Sequence, residues 1–482
     1  MPPQETSRVP PSTKPVELRP ATKAGGLERC GLWLAAWSQR WFPDAFVFAL
    51  IAILVVYLFG LLIGESPSKL TVEGGKSFWS LVPFTMQMAM IVITGFVLAR
   101  SPPVHGVMQR LAGIPKTGRG AVAFVALFSM VTSLLSWGFS LIISGLLVQE
   151  LSKRVKDMDY RAAAAAAYLG LGAVWALGLS SSAALMMATK SAIPPQLFRV
   201  SGLIPLTETL FTLPSLAVLL ALILVSVVIA YWSAPSPGRA QNAQQMGVKL
   251  TPFERELPPR STPGEWFEYS PVLTVLISAL LVFYLVDVFR KSPNGALAAL
   301  DLNTYNLICL VLGMLLHWRP RSFVRAVTQA APGTGSLLLQ FPFYAFMFGM
   351  IASTGISKYL AEVFVHITTQ TTYPLLVQGY SAILGVFIPS GGSKWVIEAP
   401  YVLEAAVQHK VNLGWVVQMY NAAEALPNLV NPFWMLPLLA VVKLRARDLV
   451  GYSMLQMVFH IPVVLALCTL AAQLIPFVAP LK

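Results

Sequence analysis

Long stretches without a single charged residue constrain this chain more than any motif in it. Asp, Glu, Lys and Arg are absent from 77–99, 120–149, 162–189 and 209–238, and again from 326–357, 425–442 and 449–481. At 1.5 Å per residue, about 20 apolar residues cross a hydrocarbon core about 30 Å thick, and these runs match that length. Within lipid every backbone N–H and C=O must be satisfied inside the segment. Runs this continuous therefore read as helices, since barrel strands alternate apolar and polar positions. Composition agrees: 56% of residues are hydrophobic and 11% charged, where a soluble domain carries about 25% charged. The expected fold class is an all-α polytopic membrane protein.

The formal net charge is +13, which in a soluble chain would raise nucleic acid as a partner. Here the basic residues form no face. They gather at Lys14, Arg19, Lys23, Arg29 and Arg40, at 100–119, 153–161, 319–325 and 443–447, between or before the apolar runs. That is the pattern of cytoplasmic loops and predicts a cytoplasmic N-terminus, with the lipid bilayer and not nucleic acid as the partner. Residues 1–28 are Pro-rich and polar without an apolar signal segment, and read as a disordered leader. Cys30, Cys309 and Cys468 are scattered, with neither disulfide framework nor metal spacing.

Two hydrophobic halves, 29–232 and 269–482, flank a polar linker at 233–268 that carries Pro235, Pro237, Gly238, Pro258 and Pro259. The halves correspond weakly. AYLGLGAVWALG (167–178) runs into LSSSAALMM (179–187), and GYSAILGVF (379–387) runs into IPSGGSKWVIEAP (388–400). Each places small polar residues inside an apolar stretch. Downstream of each lies a Glu and a Pro break, in TETLFTLPSL (207–216) and in NAAEALPNLVNP (421–432). Helices interrupted at membrane depth survive only where protein or a watery cavity receives the freed backbone groups, and those groups bind ions. Matched interruptions in two halves predict a substrate site between them.

The candidate substrate-binding residues follow from that geometry. Ser180, Ser181 and Ser182 offer hydroxyls and amides to a carboxylate; the plainer alternative is that such serines bond to helix carbonyls and aid packing. Ser390, Gly391, Gly392 and Ser393 follow Pro389, a run that predicts a loop with exposed amides. Lys394 and Glu398 lie one helical turn apart, spaced to neutralise each other. A charge inside the membrane is a candidate functional group, and Lys394 would serve as counter-ion to an anionic substrate. Asn421, Glu424, Asn428 and Asn431 surround the second broken helix, with Glu208 as the approximate first-half counterpart of Glu424; these are the coupling-ion candidates. His460 reads as a packing residue. The six alanines at 162–167 permit close helix packing. No nucleophile elbow, zinc-helix or phosphate-loop motif occurs, so the sequence describes no enzyme and no ATP-driven pump, and no cofactor beyond a coupling proton or sodium ion.

The segments 159–185, 202–211, 388–406 and 416–439 resemble the short-chain fatty acid transporter family, over about residues 28–480, with PSGGSKW and EALPNLVNPFWM the most specific. The resemblance implies transport of short-chain monocarboxylates such as butyrate or acetoacetate across a bacterial inner membrane. It also implies membership of the broad ion-transporter class, whose halves are inverted repeats, each with a re-entrant hairpin and a broken helix. Alternating access driven by a proton or sodium gradient is the expected mechanism, with an anion channel or a transporter of another small carboxylate, such as a dicarboxylate, as the alternative. Homo-oligomerisation stays open. One tension is visible: the basic loops put an even number of crossings between the halves, and inverted repeats need an odd number. Either 120–151 or 196–232 contains more than a single crossing, or a basic loop lies outside.

Overall fold

The computed structural model describes residues 45–248, 257–292, 299–388 and 391–479, and those residues contain helices and no strand. The leader expected at 1–28, residues 249–256 of the linker, Cys30 and Ser390 lie outside the described residues. The first half opens with α1 (Ala45–Leu62), α2 (Pro67–Ser77), α3 (Val82–Ala99) and α4 (Pro102–Leu111). Next come α5 (Gly118–Leu135) and α6 (Trp137–Arg154), then α7 (Tyr160–Leu169), which runs on through a π-helical stretch, Gly170–Val174, and a 3-10 turn, Trp175–Leu177. After it lie α8 (Ser182–Ala188), α9 (Pro195–Ser201) and α10 (Leu213–Ser233). The second half comprises α11 (Glu265–Tyr269), α12 (Val272–Lys291), α13 (Leu302–His317), α14 (Pro320–Ala330), α15 (Gly335–Ala352) and α16 (Gly355–Ile367). It closes with α17 (Tyr373–Phe387), α18 (Gly391–Gln408), α19 (Leu413–Asn428), α20 (Pro432–Val442) and α21 (Ala446–Leu474).

Helix starts follow local chemistry. Thr117, Asp159, Thr212, Asp301 and Asn412 each accept a backbone N–H of the helix that follows, satisfying a donor with no carbonyl partner inside that helix. Among the described residues six helical stretches are long and apolar enough to cross a bilayer: α3, α5, the 160–188 stretch taken as a whole, α10, α12 and α21. The pair α15 and α16, bent by 69°, makes a seventh if counted as one span. The 160–188 stretch lies deep in the bundle, whereas α10, α12 and α21 leave most of their apolar surface facing outward, as lipid-facing helices do.

The region 120–151 is two helices, α5 and α6, meeting at Ser136 in extended conformation. Two of the carbonyls freed at this break are satisfied from the break after Trp175–Leu177 and a third from α13. The carbonyls freed at the end of α5 are taken in order: Ser133 O by the Ser180 hydroxyl at 3.0 Å, Leu134 O by the Leu179 N–H at 2.6 Å, and Leu135 O by the Tyr305 hydroxyl from α13. Gly178 lets the chains approach, since a Cβ there would lie 2.4 Å from Leu134 Cα. In the second half α17 packs along α19, while α18 lies against α15 and α16, and α19 also touches the π-helical stretch and α21. The helices carrying the interruptions thus form the centre of the molecule.

Candidate functional site

The sequence places Pro389 and two glycines ahead of Lys394, which predicts a loop through Ser393. The structure corrects that reading: α18 begins at Gly391, so Gly391–Ser393 form its first turn. The glycines are there because the turn is pressed against the first half. A Cβ on Gly391 would meet Trp175 Cη2 at 2.5 Å, and one on Gly392 would meet Phe84 Cζ at 2.9 Å and Ser182 Cβ at 3.2 Å. A helix start has backbone N–H groups with no intrahelical acceptor, and this one abuts the interrupted 160–188 stretch.

One turn into α18, Lys394 is wholly buried, as are Glu398 and Glu424. The ammonium pairs with Glu424 on α19, lies 3.6 Å from Glu398 Oε1 and donates to Ser381 O on α17 at 2.5 Å. It also sits 4.7 Å from the centre of the Tyr420 ring, an attractive cation–π position. The Ser381 hydroxyl donates to Glu398 Oε2, and the Tyr420 hydroxyl donates to Gly391 O at 2.5 Å, tying α19 to the start of α18. Trp395 leans on Tyr420 with ring centres 4.7 Å apart. The indole N–H groups of Trp175 and Trp395 and the Asn428 Oδ1 are buried without hydrogen-bond partners. Three helices therefore close around one cation and two carboxylates, with unused donors nearby.

The structure distributes the other predicted residues unequally. Ser182, Gly391, Gly392, Ser393, Lys394 and Glu424 come together at this junction. Ser180 stitches the break of α5, and Ser181 caps α8 by accepting Ala184 N–H at 3.3 Å. Asn421 donates to Gln418, whose amide donates to Ser215 Oγ at 3.0 Å, a chain leading to the start of α10. Asn428 O accepts the Tyr168 hydroxyl at 2.6 Å, and Asn431 lies half-buried between α19 and α20. Glu208 is exposed in a 3-10 turn before α10 and does not join the cluster. His460 bonds Ser226 at 2.9 Å between α21 and α10. Ser381 and Tyr420 escaped the sequence reading. Tyr420 had a signal, since it precedes Glu424 by four residues and so shares its helix face; Ser381 had none.

An all-helical bundle with interrupted helices at its centre and a buried charge cluster defines a polytopic membrane protein of transporter architecture. Its fold is similar to the crystal structure of the Alcanivorax borkumensis YdaH transporter, reported to have an unusual topology. That match covers 92% of this chain and 98% of the other at a TM-score of 0.55 and 14% identity, a likeness of fold alone. A sequence profile described as short chain fatty acid transporter matches residues 26–471. A protein of Escherichia coli (strain K12), provisionally named a short-chain fatty acid transporter, is 33% identical over 433 residues, covering 89% of this chain and 97% of that protein. A Haemophilus influenzae protein with the same provisional name is 31% identical over 443 residues, covering 91% and 98%. The chain belongs to the short-chain fatty acid transporter family, a family of transporters and not of enzymes.

Proposed function

We propose that this protein carries short-chain monocarboxylates of the butyrate and acetoacetate kind across the bacterial inner membrane, together with a proton, by alternating access. The observation that carries the reading is Lys394, wholly buried among second-half helices one turn beyond the glycines that touch the first half, with carboxylates from two helices beside it. A buried ammonium is costly unless paired, and an anionic substrate is a partner it can accept. The first turn of α18 adds amide donors, and the unpartnered indoles of Trp175 and Trp395 add two more. Around them, Phe84, Trp175 and Trp395 supply aromatic surface for a short acyl tail. The cluster holds a single cation, which suits a monocarboxylate; a dicarboxylate would bury a second charge without a counter-ion.

Charge counting favours the proton as coupling ion. One Lys and two Glu leave one negative charge in excess in a water-poor interior, and burial of an uncompensated charge is strongly disfavoured. The charge missing at rest, and the further one that a bound anion calls for, is in each case one proton or one monovalent cation. The Lys394 ammonium already occupies the position between the carboxylates that sodium would take, and uses Ser381 O, a carbonyl that sodium would need. On this reading the N-terminus lies in the cytoplasm, as the basic loops indicate. Uptake of labelled butyrate into vesicles, with protein-free vesicles subtracted, is expected to be saturable and driven by an inward pH gradient. A sodium gradient alone is expected to drive none. Uptake that follows sodium and ignores pH would overturn the coupling assignment.

A further inference from the structure

The carboxylate paired with Lys394 comes from the protein itself. Glu424 reaches the ammonium from α19, a different helix, while Glu398 on the same helix as Lys394 stands off at 3.6 Å and is held by the Ser381 hydroxyl. A substrate carboxylate that binds Lys394 must take the place of one of them. Glu424 is the one in contact, and its side chain also borders the start of α18, where a Cβ on Gly391 would lie 3.5 Å from Glu424 Cγ. The position of Glu424 is thus the one a substrate carboxylate would occupy.

We propose that Glu424 is an internal stand-in for the substrate, and that competition between the two carboxylates for one ammonium enforces the coupling. This inference rests on the substrate reading above and says how that site links anion to proton. Glu398 holds the proton that balances the resting cluster, so an ionised Glu424 displaced from Lys394 would leave two charged carboxylates, its own and the substrate's, against one ammonium. Glu424 therefore takes up one proton as the substrate binds, and gives it back when Lys394 reclaims it on release. One proton moves per monocarboxylate, no bond other than O–H is made or broken, and the unloaded carrier crosses with Lys394 and Glu424 paired.

The ionisable groups facing Glu424 are Lys394 and Glu398 on α18 and Tyr420 on its own helix. Tyr168 reaches in from α7 to Asn428 O, and the Tyr380 and Tyr401 hydroxyls bond each other at 2.9 Å between α17 and α18. His460 on α21 is engaged by Ser226. Of these, Glu398 is the rival proton acceptor, so the test must separate two glutamates.

Butyrate binding to detergent-solubilised protein, measured by calorimetry in buffers of different ionisation enthalpy, counts protons without bilayer leakage. Wild type is expected to take up one proton per butyrate, with affinity falling about tenfold per pH unit where Glu424 is ionised in the free protein. E424Q is expected to bind with no proton uptake and a flat pH profile. Butyrate binding by wild type without proton uptake, or undiminished uptake in E424Q, overturns the inference and leaves the substrate reading standing. Should E424Q fail to bind, E398Q decides: proton uptake retained there supports Glu424, and its loss assigns the proton to Glu398 and overturns the proposal. A folded wild type that binds no butyrate at any pH sinks the substrate reading instead.

Discussion

Lys394 is held by a division of labour among its neighbours: Glu424 neutralises it, Ser381 O and the Tyr420 ring position it, and Glu398 waits within reach. Removing the cation alone strands two buried carboxylates. Breaking a buried pair from one side costs about 3–5 kcal/mol in well-studied proteins, whereas replacing both partners with apolar groups is often close to neutral. K394M is therefore expected to lower the melting temperature of the solubilised protein markedly, and K394M/E424L to recover much of the loss. Equal melting of wild type and K394M would contradict the pairing. The spacing of Lys394 and Glu398 on one helix was legible in the sequence, and so was the suspicion attached to Glu424. What the sequence hid was their meeting, because the pairing of Lys394 with Glu424 depends on how α18 packs against α19 and on nothing local to either.

At the scale of elements, the interruptions matter more than the spans. The charge-free runs predicted helices, and the small polar residues at 179–182 and 389–393 marked the places where two of them stop. Which groups would satisfy the broken ends was not legible. Ser180 was a candidate ligand by sequence, yet its hydroxyl closes the Ser133 carbonyl of α5, a partner 47 positions away. Tyr305 does the same for Leu135 from the other half of the chain. The break of α5 is thus clamped by both halves, and Y305F tests that clamp. It deletes a donor to a carbonyl that α6 does not use, which in a buried site costs about 1–3 kcal/mol. Thermal unfolding should report a loss of that order with the cluster at Lys394 intact. No loss would mean that the carbonyl finds another donor and the clamp is dispensable.

For the whole molecule, the all-helical membrane fold class followed from hydropathy, since lipid allows so few alternatives. Hydropathy left the status of 120–151 open because a helix pair meeting at a single extended serine retains the charge-free signature of one long run. Glu208 and Glu424, similar in sequence setting, part company in space: one is exposed in a turn, the other buried at the centre. In the proposed function a short-chain monocarboxylate crosses the membrane on Lys394. Exchange of labelled for unlabelled butyrate in vesicles tests it without needing any driving gradient. K394Q/E424Q removes the ammonium together with its paired carboxylate, so the variant strands fewer buried charges than loss of the lysine alone. Wild type is predicted to show saturable exchange above protein-free vesicles, and the folded double variant none. Exchange by that variant at the wild-type rate, or no exchange by wild type with any acid from acetate to hexanoate, would contradict the account.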